Sequence, residues 1–337
     1  MGNFWNNIKI IMGPVVLNTK CDYEGCVFYK MHQFSDAHEV PIYDILSTGA
    51  LNQIIGHVKF ANADYGNVYY RGVSGLYDNV LPALMRNRAK GNPEDLNNVV
   101  NGVLNSEYFS SSLKLRLPKK ARCPEDHFFN NKTRRYNKYT IEALLQHYAG
   151  STRFLDVVDN HWIALWMSLH KFKFHGRRKE YCVANRRTLS MWDYYEAYND
   201  KGRLADISTD IYSYILLVAM PYPQEEPIYG ISETKNFVEV DLRKALPSIY
   251  LRPHAQHALV VRRRDGVGCE KAGYYDMASQ ITAILRIRVD RVDEWLGNGT
   301  LLTQSNLFPS PSIDQGYNNL LLHYDEFVKP FHIKKYF

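Results

Sequence analysis

The sequence predicts an α+β fold, and three observations carry that expectation. Candidate strands and helices occur in mixed runs rather than in regular strand–helix–strand alternation. Residues 212–220 form a largely apolar run ended by Pro221, which suits a central strand. Residues 281–289 place Ile281, Ala283, Leu285, Ile287 and Val289 on one side against Arg286, Arg288 and Asp290, the alternation of a half-buried strand. The chain has 337 residues, 45% of them hydrophobic, which is enough to bury one large core or one core with a small appendage. We therefore expect one main domain over 38–337, with residues 1–37 packed on it as an N-terminal extension.

The other elements follow in order. Residues 8–11 and 15–17 read as short strands broken by Gly13-Pro14. Residues 41–60 carry Ile42, Ile45, Leu46, Ile54, Ile55 and Val58 near helical spacing and are predicted as a helix. Residues 67–73 read as a strand with Gly72 near its end. Helices are expected over 94–109, where Pro93 suits the first turn, and over 139–147. Residues 152–158 read as a strand. Residues 160–172 read as a buried helix that Asp159 or Asn160 caps by accepting first-turn amide hydrogens. Further strands are expected at 237–242 and 258–262, and terminal helices at 291–296 and 316–327.

Composition narrows the function classes. No run of about 18 apolar residues appears, so no transmembrane helix is expected. The first 20 residues lack the pattern of a signal peptide, and Asn6 stands where a myristoylation signal has Ser or Thr. The five cysteines, at 21, 26, 123, 182 and 269, read as too scattered for a disulfide framework, which points to a reducing cytoplasm. Cys21 and Cys26 have no second pair at zinc-finger spacing, and no metal is expected. No phosphate-binding Walker loop, dinucleotide glycine fingerprint, nucleophile elbow or zinc-protease motif is present.

The formal net charge is +6, and the excess is clustered at Lys119-Lys120 with Arg122, Lys132 with Arg134-Arg135, Arg177-Arg178-Lys179, Arg186-Arg187 and Arg262-Arg263-Arg264. Such clusters are either solvated loop faces or the footprint of an anionic partner, RNA or DNA or a phosphate-bearing cofactor. The 25 tyrosines serve cores and interfaces as readily as base stacking.

Four segments stand out together. They are Tyr70-Arg71-Gly72 with Leu81-Pro82-Ala83-Leu84 and Arg86; the run from Gln146-His147-Tyr148 through Arg153-Phe154-Leu155-Asp156 to Ala164-Leu165-Trp166-Met167-Ser168; Arg252-Pro253-His254-Ala255-Gln256-His257-Ala258; and Asn306-Leu307-Phe308-Pro309. In this order they resemble the FRG domain family, named for its Phe/Tyr-Arg-Gly motif, over about residues 70–309. The second segment is the long and specific one. It departs from the family's pattern in having Ala149-Gly150-Ser151 for Gly-Leu-Pro and Val157-Val158 for Trp-Thr. The order of an Arg-bearing strand, a Ser/Thr-bearing strand and a late Gln is further similar to ADP-ribosyltransferases. That similarity implies a single domain with split sheets and flanking helices, and NAD as substrate. It implies Arg71 and Gln256 as catalytic residues, and Arg71, Gly72, Ser151, Thr152, His147 and Tyr148 around the cofactor. A macromolecular acceptor, a toxin or phage-defence role and an antitoxin or regulatory partner follow from the same analogy. A non-enzymatic nucleic-acid or nucleotide-binding module is the alternative.

The residues themselves leave choices open. A guanidinium at Arg71 is a planar fork suited to phosphate or ribose oxygens, or to an internal pair with Asp156. Gly72 permits close approach of backbone. His147 is either structural or a general base. Ser151 and Thr152 serve a ligand or cap a strand. Gln256 meets a ribose and phosphate or satisfies backbone in a turn.

Overall fold

The computed structural model describes residues 13–18, 20, 23–86, 94, 96–98, 100–101, 138–148, 152–175, 181–187, 211–269, 271–322 and 335–336. The strands are β1 (Cys26–Gln33), β2 (Glu39–Ile45), β3 (Gly66–Val73), β4 (Leu155–Val158), β5 (His170–His175), β6 (Tyr181–Arg186), β7 (Tyr212–Pro221), β8 (Ile231–Glu233), β9 (Phe237–Asp241), β10 (Ala258–Arg263), β11 (Ile281–Arg288) and β12 (Lys335–Tyr336). Helices that position the site are α1 (Thr48–Ala61), α2 (Ala83–Arg86), α3 (residues 138–148), α4 (His161–Leu169) and α5 (Arg252–Ala255). Helices and a large mixed sheet together make the fold α+β.

Nine strands form one sheet in the order β1-β2-β11-β7-β3-β4-β10-β9-β8; β12, β6 and β5 form a second. In the large sheet β11 runs parallel to β2 and antiparallel to β7, and β3 is antiparallel to β7 over its whole length. Side chains alternate between faces along each strand. One face carries Tyr70, Val158, Ile215, Leu217 and Leu285 against α1 and α4. Its continuation carries Val240, Ala258 and Val260 against α3 and Phe154. The opposite face carries Tyr69, Leu155, Val157, Leu216, Val261 and Ile284 under Phe34, Val80 and Met277. β1, inside the 1–37 segment, is an edge strand of this sheet.

Several expected boundaries move for identifiable reasons. The helix expected over 41–60 is β2 followed by α1. β2 is buried on both faces, so apolar residues fall at adjacent positions and mimic helical spacing. The helix begins where Ser47 accepts a hydrogen bond from the Ala50 amide at 3.1 Å. The helix expected over 160–172 is capped by Asn160 and stops at Leu169, because His170 turns to extended backbone and opens β5. β11 is buried on both faces rather than one. Arg286 reaches only 6% exposure because Asp44 holds it bidentately and Tyr29 and Tyr212 stack on it. Residues 13–18 form no strand, although Leu17 hydrogen-bonds the Thr282 carbonyl at 3.3 Å. Residues 8–11, most of 94–109 and 323–327 lie outside the described residues. Cys26 is disulfide-bonded, although the five cysteines are too scattered in the sequence for a disulfide framework.

Candidate functional site at the parting of the sheet

The strand that carries Arg71 is fully paired on one side only. Its β7 ladder runs from Gly66↔Pro221 to Val73↔Tyr214. Towards β4 there is a single pair, Tyr70↔Val158. Beyond Tyr70 the two strands part, and Arg71 Nη1 donates to the Asp156 carbonyl at 2.7 Å, giving that oxygen the partner a ladder amide would otherwise supply. Gly72 faces the other way. A Cβ there would sit 1.8 Å from the Ala164 carbonyl oxygen, so only glycine lets β3 lie against the backbone of α4.

Arg71 lines a small pocket of about 50 Å³ on the face away from α4. Val73, Leu155 and Leu216 form apolar wall, and Arg86, Tyr77 and Asn79 complete the polar rim. Arg86 ends α2, which the Leu84 amide ties to the Thr152 carbonyl at 3.3 Å. No hydrogen bond or ion pair joins the exposed Arg86 side chain to another described residue. Burial lowers the Arg71 pKa to about 10; Asp156 opposes the shift and Arg86 adds to it. Strand alternation puts the Asp156 carboxylate on the helical face, where it accepts from Gln146 Nε2 at 2.5 Å. Two guanidiniums thus share one pocket with no carboxylate among its lining residues. That arrangement is relieved by a bound anion, and guanidinium forks match phosphate geometry.

The other residues expected at the site lie elsewhere. Thr152 is fully buried and donates to Gln146 Oε1 at 2.7 Å while accepting from the Phe154 amide at 3.1 Å. Gln256 is buried and donates to the Leu307 carbonyl at 2.7 Å, and Leu307 packs with α4 on the helical face. Arg71, Thr152 and Gln256 therefore do not line one cleft. Strand alternation sends Arg71 to one face, and the amide of Gln256 is spent tying two backbone segments together on the other. Tyr148 is buried, donates to Asp314 Oδ2 at 2.8 Å and lies under the Arg252 guanidinium. His147 is buried beside it. Burial, with the charge of Arg252, lowers its pKa to about 3, so it stays a neutral structural imidazole. Ser151 lies outside the described residues.

Three of the basic clusters, at 119–122, 132–135 and 177–179, also lie outside the described residues. Of the rest, Arg187 is buried and donates to the Ser168 and Tyr212 carbonyls. Arg262 is 1% exposed, paired with Asp265 at 2.7 Å and packed over Tyr139 and Phe154. These two are internal braces, not a solvated basic face. Among the described residues no group of three or more His, Cys, Asp or Glu is placed to hold a metal, and no helix is long and apolar enough to cross a membrane.

An α+β protein whose sheet parts beside an arginine-lined pocket is the class that fold and site define. Residues 66–176 match the family model described as the FRG domain, and the chain contains an FRG domain. The match begins at β3 and ends just past β5, so it includes Arg71, Gly72, Tyr77, Asn79 and Arg86. Two curated proteins are similar over a short stretch: the small ribosomal subunit protein bS16 of Bordetella pertussis and that of Bordetella bronchiseptica, each 50% identical over 42 residues, 12% of this chain. The chain spans about half the length of these relatives, 49% in each case. No solved structure matches.

Sequence reasoning brought Arg71 forward from its motif but set beside the cofactor Gly72, which faces α4 and not the pocket. It read Arg86 only as part of that motif and missed Tyr77 and Asn79. The signal available was the position of a polar turn, Tyr77-Asp78-Asn79, between the two arginines.

Proposed function

We propose that this FRG domain holds the phosphate of a nucleotide between Arg71 and Arg86, with NAD as the nucleotide. The observation that carries the reading is the parting of β3 from β4 at Tyr70, which leaves the Arg71 guanidinium facing a pocket whose lining holds no carboxylate and a second arginine that is unpaired among the described residues. In the enzymatic form of this reading, phosphate contacts and strain promote cleavage of the nicotinamide–ribose bond through an oxocarbenium-like state. A macromolecule, RNA or DNA or protein, then accepts the ADP-ribose. A cytoplasmic toxin or phage-defence effector, restrained by an antitoxin or regulatory protein, is the setting that suits such chemistry.

One observation favours a second reading, a nucleotide-binding module without turnover. Thr152 and Gln256 are committed to internal hydrogen bonds, so the late Gln of the transferase analogy does not reach the pocket. Incubation with NAD labelled in its adenine half, in cell lysate, separates the two. Label transferred to a protein or nucleic-acid fraction together with released nicotinamide is the enzymatic result. Saturable NAD binding with intact NAD recovered is the binding-module result. No binding of NAD, with or without lysate, removes both.

A further inference from the structure

We propose that the ligand of the Arg71 pocket is recognised by its nucleobase as well as its phosphate, the base lying on the ring of Tyr77 and its polar edge meeting the Asn79 amide. This rests on the reading that Arg71 and Arg86 hold the phosphate. The pocket, at about 50 Å³, has room for little more than a phosphate group, so the rest of any nucleotide must lie over the rim. The rim supplies Tyr77, whose side chain is 65% exposed, beside the half-buried Asn79.

The segment that carries them is held at three points. His32 Nε2–H donates to the Tyr77 carbonyl at 3.2 Å, the Ser35 amide donates to the Asp78 carbonyl at 2.7 Å, and the Val80 amide donates to Asp276 Oδ1 at 2.9 Å. The backbone is therefore fixed while the ring stays in water. A lone exposed tyrosine is common on protein surfaces. One on a pinned segment, lining the same pocket as both guanidiniums, can serve as a stacking platform for a base whose phosphate they hold. An amide beside it can both donate and accept, as the hydrogen-bonding edge of a base requires.

The test is titration calorimetry of the full chain with AMP, ribose 5-phosphate and inorganic phosphate, and of its Tyr77→Ala, Tyr77→Trp and Arg71→Ala variants with the first two. One base–aromatic stack corresponds to roughly fivefold or more in affinity. We expect AMP to bind at least about fivefold tighter than ribose 5-phosphate in the parent. Tyr77→Ala should erase that ratio, Tyr77→Trp should keep it, and Arg71→Ala should weaken both ligands. Equal affinity for AMP and ribose 5-phosphate in the parent, both lost in Arg71→Ala, overturns the base contact and leaves the phosphate reading standing. Absence of measurable binding for all three ligands, and for NAD and a short single-stranded oligonucleotide as well, overturns both. NAD and a short single-stranded oligonucleotide are run in parallel, and Tyr77-dependent binding of either one supports the proposal and identifies the source of the base.

Discussion

Two arginine pairs in this molecule make opposite arrangements from the same side chain. Arg153 and Arg262 are buried beside two carboxylates, Glu142 in the core and Asp265 at the surface. Arg153 meets Glu142 Oε2 at 2.6 Å and Oε1 at 3.0 Å, while Arg262 meets Asp265 Oδ1 at 2.7 Å. Asp265 also accepts from Tyr275 at 2.6 Å. Burial disfavours the Arg153 charge, but Glu142 outweighs it and the pKa rises. Arg71 and Arg86 share a pocket with no carboxylate in its lining, and the Arg71 pKa falls. The first pair holds the fold together and gains nothing from an external anion. The second leaves a charge that a ligand can answer. Pairing, not the presence of arginine, separates brace from site.

The largest effect that would break this contrast is in the core. Glu142→Ala leaves Arg153 and Arg262 buried with only Asp265, and should cost about 3–5 kcal/mol in denaturant unfolding. A loss below about 1 kcal/mol, the scale of a surface pair, would show that the network is not a brace. Acid should find the same weakness. Burial alone would raise the Glu142 pKa, but Arg153 and Arg262 lower it below its unfolded value. Its contribution is therefore present above about pH 4.3, the unfolded value, and is lost as pH falls through the lower folded pKa. Unfolding free energy followed from pH 6 downward should drop more steeply in the parent than in Glu142→Gln.

At the pocket the expected effects shift from stability to binding. Arg71→Lys keeps the charge but loses the fork. It should weaken AMP or NAD binding about tenfold or more while unfolding changes by about 1 kcal/mol, the scale of the Asp156 carbonyl hydrogen bond. A parallel loss of stability of about 3 kcal/mol would make Arg71 a brace like Arg153. Arg86→Ala should be the mildest to the fold, within about 0.5 kcal/mol as for an exposed side chain. It should still lower nucleotide affinity measurably and raise the Arg71 pKa, because a neighbouring positive charge is gone. Unchanged affinity would reduce the pair to Arg71 alone.

The central strands and the motif residues were legible because their signals are local. β7 and β11 are marked by apolar runs, β3 by its Tyr-Arg-Gly end and α4 by its Asn160 cap. β2 was not, since a strand buried on both faces carries no period-two signature. The site was half legible. Motif order brought Arg71 forward but placed Gly72, Gln256 and Thr152 beside it, because sequence order says nothing about which face of a sheet a side chain takes. The hydrogen bonds of Gln256 and Thr152 to the Leu307 carbonyl and Gln146 are long-range facts that no spacing encodes. The buried Arg262 was likewise read as part of a basic surface run. Its neighbour in sequence, Arg263, is half-buried, and only the fold distinguishes them.

Gly72 gives the Arg-Gly motif a meaning that neither residue has alone. Consecutive strand residues point in opposite directions, and here one direction leads to a pocket and the other to bare helix backbone 1.8 Å from where a Cβ would stand. The dipeptide is therefore a parity mark. It declares which side of the ribbon is up, and slipping it by one position would drive a guanidinium into α4 and leave the pocket lined by hydrogen.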